Sequence, residues 1–310
     1  MERVNRDKEG KIWAIGGGKG GTGKSFITSS IGTYLAGKGN KVVLIDVDIG
    51  GANLHTILGI KRPRKSLTDF FETKLPLYQL TVKTGIEDMY LITGDIHSLS
   101  SDNIKFFQKL RLFRHIMKLN TQYALIDLGS GSHTNTIDTF LIADKMIAVV
   151  EPEILSIENM YHFIKNALFR KVKVSLRAHG FREIVDHMWM SRKRYKIKNL
   201  KDLIDSLKGF SYIGDILAEE LSDFTIYLIL NKVRTGQDIL VGSSIKSIFM
   251  KYLGIECQFV GYIEHDDSVW RSMRRRQPFM LNYASSPCTK EIETSTENLI
   301  KGNEIKLPRV

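Results

Sequence analysis

The apolar run Ile12-Trp13-Ala14-Ile15 leads directly into Gly16-Gly17-Gly18-Lys19-Gly20-Gly21-Thr22-Gly23-Lys24-Ser25, and no other stretch restricts the fold as tightly. A short apolar strand, a glycine-rich turn and a helix-length segment from about Lys24 to Gly37 fit one arrangement. The strand feeds a phosphate-binding loop, and the helix behind it aims its positive dipole end at the anion. Gly18 to Ser25 satisfies G-x-x-x-x-G-K-[ST]. In that pattern the glycines let backbone N–H groups curl round a polyphosphate, the lysine (Lys24) reaches the outer phosphates and the Ser25 hydroxyl ligates Mg²⁺. The cradle candidates are therefore Gly18, Lys19, Gly20, Gly21, Thr22, Gly23, Lys24 and Ser25.

Further apolar runs at Val42 to Ile45, Met89 to Ile92, Tyr123 to Ile126, Met146 to Val150, Thr225 to Leu230 and Gln258 to Ile263 alternate with amphipathic, helix-length segments. Near-continuous apolar strands joined by helices predict an α/β fold: a mainly parallel, twisted sheet covered by helices on both faces. The alternation breaks from about Phe169 to Glu220. That span is polar and basic, with helices expected over Ile184 to Met190 and Leu200 to Leu207, and is taken as an insertion (169–220) within a single domain of 1–310. Gly302 to Val310 is expected to be a loose end.

Two strand ends carry carboxylates. Val42 to Ile45 runs into Asp46-Val47-Asp48, and acids one residue apart on an extended chain share a face. Two such groups at the carboxyl edge of a sheet call for a cation, and a Mg²⁺–phosphate cluster supplies it. Tyr123-Ala124-Leu125-Ile126 ends in Asp127-Leu128-Gly129-Ser130-Gly131, an acid followed by a flexible turn. In a Walker B and switch II layout Asp127 holds a Mg²⁺ water, and Gly129 presents its backbone N–H to the γ-phosphate.

With 310 residues, 43% of them hydrophobic and 25% charged, the chain can bury a large core. No apolar stretch approaches the roughly 20 residues of a spanning helix, and Met1 to Asp7 lacks an apolar signal region, so a cytoplasmic location is expected. Cys257 and Cys288 have neither C-x-x-C nor zinc spacing, and the eight histidines are scattered. The net charge of +11 points to a polyanion, nucleic acid or an anionic membrane surface. Much of the excess lies between Lys165 and Lys208, either a solvated helical surface or an anion-binding face. Arg274-Arg275-Arg276 is likewise open between a helix end and an anion patch.

Lys19 is not required by an ordinary phosphate loop. Lys19-Gly20-Gly21-Thr22-Gly23-Lys24-Ser25 reads K-G-G-x-G-K-[ST] and resembles the deviant loop of the MinD/ParA family of P-loop NTPases (SIMIBI type). The resemblance extends through Asp46 to Gly59, Asp127 to Gly131, Glu151-Pro152-Glu153, Asn231 and Gly261 to Val269. It implies ATP and Mg²⁺ as cofactors and a homodimer closed around ATP. In that dimer Lys19 reaches the partner subunit's nucleotide; without it, Lys19 is a solvated loop cation. By the same resemblance Asp46 supports the metal region with Ser25 and Asp127, Asp48 orients or activates the attacking water, and the Asn231 amide recognises adenine. Asn231 is also a plausible helix or turn cap.

Asp48-Ile49-Gly50-Gly51-Ala52-Asn53-Leu54 looks closer to the MinD and flagellar FlhG/FleN branch than to ParA proteins, whose loop usually reads D-x-D-P-Q-G. The chain departs from that branch at several points. Asp127 to Gly131 lacks the usual D-x-P-A-G, the late loop lacks its proline, and Met1 to Lys11 has no counterpart to the glutamine-containing activator segment of the flagellar proteins. Glu291 to Lys301 makes a weak membrane-binding face. The expected function is a slow ATPase switch that positions or counts a cellular machine. It would act through an unidentified activator or cargo, peripherally at a membrane or pole. The alternatives are a ParA-like DNA partition ATPase using Arg170 to Lys201, with Arg274 to Arg276 as further candidates, on phosphates, and an Mrp-type iron–sulfur carrier, which the missing C-x-x-C disfavours.

Overall fold

A computed structural model describes residues 10–48, 51–61, 63–73, 75–94 and 105–305. The apolar runs form one sheet from β1 (Lys11–Gly16), β2 (Val42–Asp46), β3 (Val82–Lys83), β4 (Met89–Ile92), β5 (Tyr123–Asp127), β6 (Lys145–Val150), β7 (Thr225–Val233) and β8 (Glu256–Glu264). The spatial order is β3-β4-β2-β5-β1-β6-β7-β8. Every pairing is parallel except β3 with β4, a two-residue antiparallel edge. β3 is too short to show as an apolar run, and the sequence gives no sign of it.

The helices are α1 (Lys24–Gly37), α2 (Leu54–Ile57), α3 (Leu67–Thr73), α4 (Phe106–Met117), α5 (Thr134–Phe140) and α6 (Ile154–Ala178). They continue as α7 (Ile184–Met190), α8 (Leu200–Lys208), α9 (Ser211–Leu221), α10 (Gly236–Tyr252), α11 (Asp267–Arg275), α12 (Phe279–Asn282) and α13 (Pro287–Lys301). Side chains alternate across the sheet. Ala14, Ile45, Ile126 and Ala148 face the layer that contains Met160, Phe163 and Ala167 of α6. Trp13, Ile15, Leu44, Leu125 and Val149 face α1 and α13. Both faces are therefore covered, which is why β2 and β5 are apolar along their length rather than alternating.

β1 lies between β5 and β6, and the chain moves to one side of it through β2 and to the other through β6 and β7. The crevice at such a reversal opens at the carboxyl ends of the strands, and there the glycine loop, Asp46 and Asp127 meet. No helix among the described residues is long and apolar enough to cross a membrane.

The basic span begins inside α6, a continuous helix of 25 residues, and continues through α7, α8 and α9. Val185, Leu200, Leu203, Leu207, Ile213 and Leu217 from these helices share one core with Ile226 and Leu228 of β7. The chain end departs from expectation. Gly302 to Ile305 is not loose: the Ile305 amide donates to the Phe259 carbonyl at 3.0 Å, and Lys246 pairs with Glu304 at 2.6 Å. The Gly302 turn (φ 70) that ends α13 sends the chain back along β8. Residues 306–310 lie outside the described residues.

Candidate nucleotide and metal site

The loop turns where only glycine is free to turn. Gly21 has φ 81 and Gly23 φ 92, and a Cβ on Gly23 would come within 2.2 Å of the Asn231 amide nitrogen. That amide donates to the Thr22 carbonyl at 2.8 Å, and Lys232 Nζ donates to the Gly21 carbonyl at 2.9 Å. The Gly131 amide donates to the Gly18 carbonyl at 2.9 Å. With these carbonyls engaged from outside, the loop is stiffened from β7 and from the turn after β5. Among the described residues, the amides of Gly20, Gly21 and Gly23 find no backbone acceptor, as a cradle for an anion requires. The Thr22 hydroxyl is also buried without a partner.

Lys24 opens α1 and points Nζ back at the Lys19 carbonyl, 2.9 Å away. Burial lowers its pKa, against the opposing pull of Asp127 and Asp48. Both carboxylates are therefore electrostatic neighbours of the loop lysine. Lys19 reaches Glu153 at 3.2 Å, an exposed pair at the end of β6. Lys232 pairs with the nearly buried Glu151 at 2.6 Å.

Asp46 and Asp127 stand opposite each other at the ends of β2 and β5, each 1% exposed. The Asp46 carboxylate accepts the amides of Asp48 (3.1 Å), Asn53 (3.0 Å) and Leu54 (3.1 Å), and so folds the loop after β2 back over the strand end. Asp127 accepts from the Thr28 hydroxyl at 3.2 Å and also bonds Ser25. Burial raises the pKa of both acids, and the Asp127 charge adds to it at Asp46. A buried carboxylate pair flanked by a loop serine suits a hard cation that takes its remaining ligands from water and phosphate.

Asp48 is half-buried, its carboxyl pushed up by burial and drawn down by Lys24. A Cβ on Gly129 would lie 2.7 Å from Asp48 Oδ1, and one on Gly51 would lie 3.0 Å from Oδ2. The missing side chain at Gly129 is what gives Asp48 its place, and it joins the loop after β5 to the loop after β2. The structure thus brings Lys24, Ser25, Asp46, Asp48, Asp127 and Gly129 to one crevice. Asn231 lies beneath the loop, 4% exposed, with its amide nitrogen on Thr22. Ile49 and Gly50 of the Asp48 to Leu54 segment lie outside the described residues. In the late loop Asp266 caps α11 through the Ser268 amide at 2.7 Å, and the Glu264 amide donates to Glu291 at 2.8 Å.

Thr28 and Lys232 escape a motif reading. Thr28 lies one helical turn beyond Lys24, on the loop-facing side of α1, and spacing alone marks it. Lys232 follows Asn231 directly, but only its left-handed backbone (φ 60) turns it toward the loop.

A family model described as the CobQ/CobB/MinD/ParA nucleotide binding domain matches residues 13–279. The septum site-determining protein MinD of Buchnera aphidicola subsp. Baizongia pistaciae is 23% identical over 86% of this chain and 99% of its own length. MinD of Bacillus subtilis is 32% identical over 48% of this chain. That match spans 56% of the Bacillus protein, so the chain aligns with about half the length of this relative. Among solved structures, MinD of Pyrococcus horikoshii, complexed with Mg-ADP, superposes with a TM-score of 0.63 at 18% identity, covering 94% of this chain and 96% of that one, and supports the fold. The phosphate loop, the paired strand-end acids and the match over most of the chain agree, and the chain belongs to the MinD/ParA family of P-loop ATPases.

Proposed function

We propose that this protein is an ATP-dependent dimerising switch that hydrolyses ATP to ADP and phosphate and uses that cycle to position or count a cellular machine. The observation that carries the reading is Asp48, held half-buried against Gly129 and within the field of Lys24, on the open side of the buried Asp46–Asp127 pair. In this reading the loop amides and Lys24 hold the β- and γ-phosphates. Ser25 and Asp127 would hold a Mg²⁺, which would supply positive charge against the phosphate oxygens, with Asp46 supporting that position from the strand end. Asp48 accepts a hydrogen bond from the attacking water and orients it. Gly129, touching Asp48, senses the γ-phosphate through its backbone amide, so loss of phosphate loosens the same contact that holds the water-orienting acid.

Lys19 belongs to the dimer step. Its pair with Glu153 is exposed, and exposed pairs contribute about 0–1 kcal/mol, so the lysine exchanges one anion for another at small cost. The Asn231 amide nitrogen that bonds Thr22 places the side chain within the loop framework, and recognition of adenine by Asn231 rests on the family resemblance.

Phosphate release with Mg²⁺-ATP tests the reading. Asp48→Ala is expected to lower turnover about 10²–10⁴-fold while leaving ATP binding in place. Unchanged turnover removes Asp48 from the mechanism.

A second reading, a surface that grips DNA or an anionic membrane, draws on the turn between α7 and α8. There Arg192, Lys193, Arg194, Lys196 and Lys198 are all exposed. The rest of the basic span supports it less. Arg170 is bound to Asp138, Lys171 to Glu220 and Lys173 to Asp186, so these cations are matched locally.

A further inference from the structure

α11 carries a surface that the nucleotide site does not use. Its inner side is fixed by the buried Ser268 and Ser272 with the half-buried Val269 and Met273. Its outer side presents Trp270, 60% exposed, with Arg271, Arg274 and Arg275, and continues into Arg276. Positions 270, 271, 274 and 275 share one face of a helix. The Arg274 guanidinium lies 5.2 Å from the Trp270 ring centroid, so the two side chains meet in one surface. Among the described residues, no carboxylate forms an ion pair with Arg274, Arg275 or Arg276.

The helix dipole accounts for part of this charge. Acids at the start of a helix and bases at its end stabilise it, and α11 has Asp266 and Asp267 at one end and arginines at the other. One basic residue satisfies that need; four arginines and a water-facing tryptophan go beyond it. Arginine and tryptophan are the side chains most enriched where partner proteins bind tightly. Arginine does so through paired hydrogen bonds to carboxylates, tryptophan by giving up a large apolar surface.

The same charge polarity argues against a uniform polyanion. A nucleic-acid backbone laid along α11 meets Asp267, whose side chain is 83% exposed. A bilayer needs a broad apolar face, and this face offers a single indole. A protein segment can match both features, with acids over the arginine end and an apolar side chain over the ring. The surface also adjoins the nucleotide machinery. The Arg276 carbonyl lies against Gly59, two residues past α2, where a Cβ would come within 2.5 Å of it.

We propose that Trp270, Arg271, Arg274, Arg275 and Arg276 form a docking surface for a partner protein's acidic segment that carries an apolar anchor. This goes beyond the ATPase reading and does not depend on it. Display selection of short random peptides on the full chain, run in parallel on Trp270→Ala and Arg275→Glu, tests it, with the enriched peptide then titrated by fluorescence anisotropy. Both positions are exposed, and unchanged thermal melting of the variants controls for folding. The expected result is enrichment of Asp- and Glu-rich peptides with an aromatic or aliphatic residue, bound about tenfold or more weakly by either variant and weakened by salt. Failure of the wild type to enrich any peptide over the variants overturns the proposal. So does tighter binding of a short labelled DNA duplex, or of phosphatidylglycerol-containing vesicles, with the same dependence on Trp270 and Arg275.

Discussion

At the scale of single residues, the crevice is built from contacts that leave little room for side chains. Gly129 is the sharpest case, because a methyl group there would press on Asp48 Oδ1 at 2.7 Å. Gly129→Ala is therefore expected to displace Asp48 and lower phosphate release about 10²-fold with ATP affinity little changed, a split that steady-state and binding measurements resolve. Asn231 and Lys232 work in the opposite direction, holding loop carbonyls from outside. Asn231→Ala leaves the Thr22 carbonyl without its partner, a loss of about 1–3 kcal/mol, and nucleotide affinity measured by calorimetry should fall about tenfold or more. Unaltered affinity would show that the loop holds its shape unaided. The motif residues of this crevice were legible in the sequence because phosphate chemistry demands fixed types at fixed spacing. Thr28 and Lys232 were not, because their roles depend on which way a helix face and a strand end turn.

At the scale of elements, the helices are tied together by charges far apart in the chain. Asp138 of α5 receives Lys109 of α4 at 2.5 Å and Arg170 of α6 at 2.8 Å, and both Asp138 and Lys109 are buried. Asp138→Ala leaves a buried ammonium unpaired and is expected to destabilise the fold by about 3–5 kcal/mol in denaturant titration. A loss near zero would mean that water solvates the lysine instead. Such pairs also explain why the basic span looked more anionophilic in the sequence than in the fold, since Asp138 and Glu220 lie outside the window in which the excess was counted. On α13, Glu291 is pushed up to about 7, chiefly by burial and further by Glu264 and Asp266. The folded chain then holds a proton that the unfolded chain has released, so this group favours folding at low pH. That contribution is lost as pH rises from the ordinary carboxylate range through about 7. Melting temperature should thus fall between pH 5 and pH 8 by more in the wild type than in Glu291→Gln, which keeps an acceptor for the Glu264 amide.

At the scale of the whole molecule, period and composition were enough to anticipate a parallel sheet with helices on both faces, since β2 and β5 are buried from end to end. Strand order was beyond them. The two-residue β3 and the return of Gly302 to Ile305 along β8 depend on hydrogen bonds that no periodicity reports. The functional reading turns on a property no single chain displays, namely assembly of two copies around ATP with Lys19 released from Glu153. Light scattering of the full chain in Mg²⁺-ATP and in Mg²⁺-ADP reads that property directly. An ATP-dependent switch predicts a monomer with ADP, twice the mass with ATP, and a dimer that persists in Asp48→Ala, where hydrolysis no longer dissolves it. The same mass in both nucleotides, for wild type and Asp48→Ala alike, would remove the dimer from the mechanism and leave Lys19 a surface cation paired with Glu153.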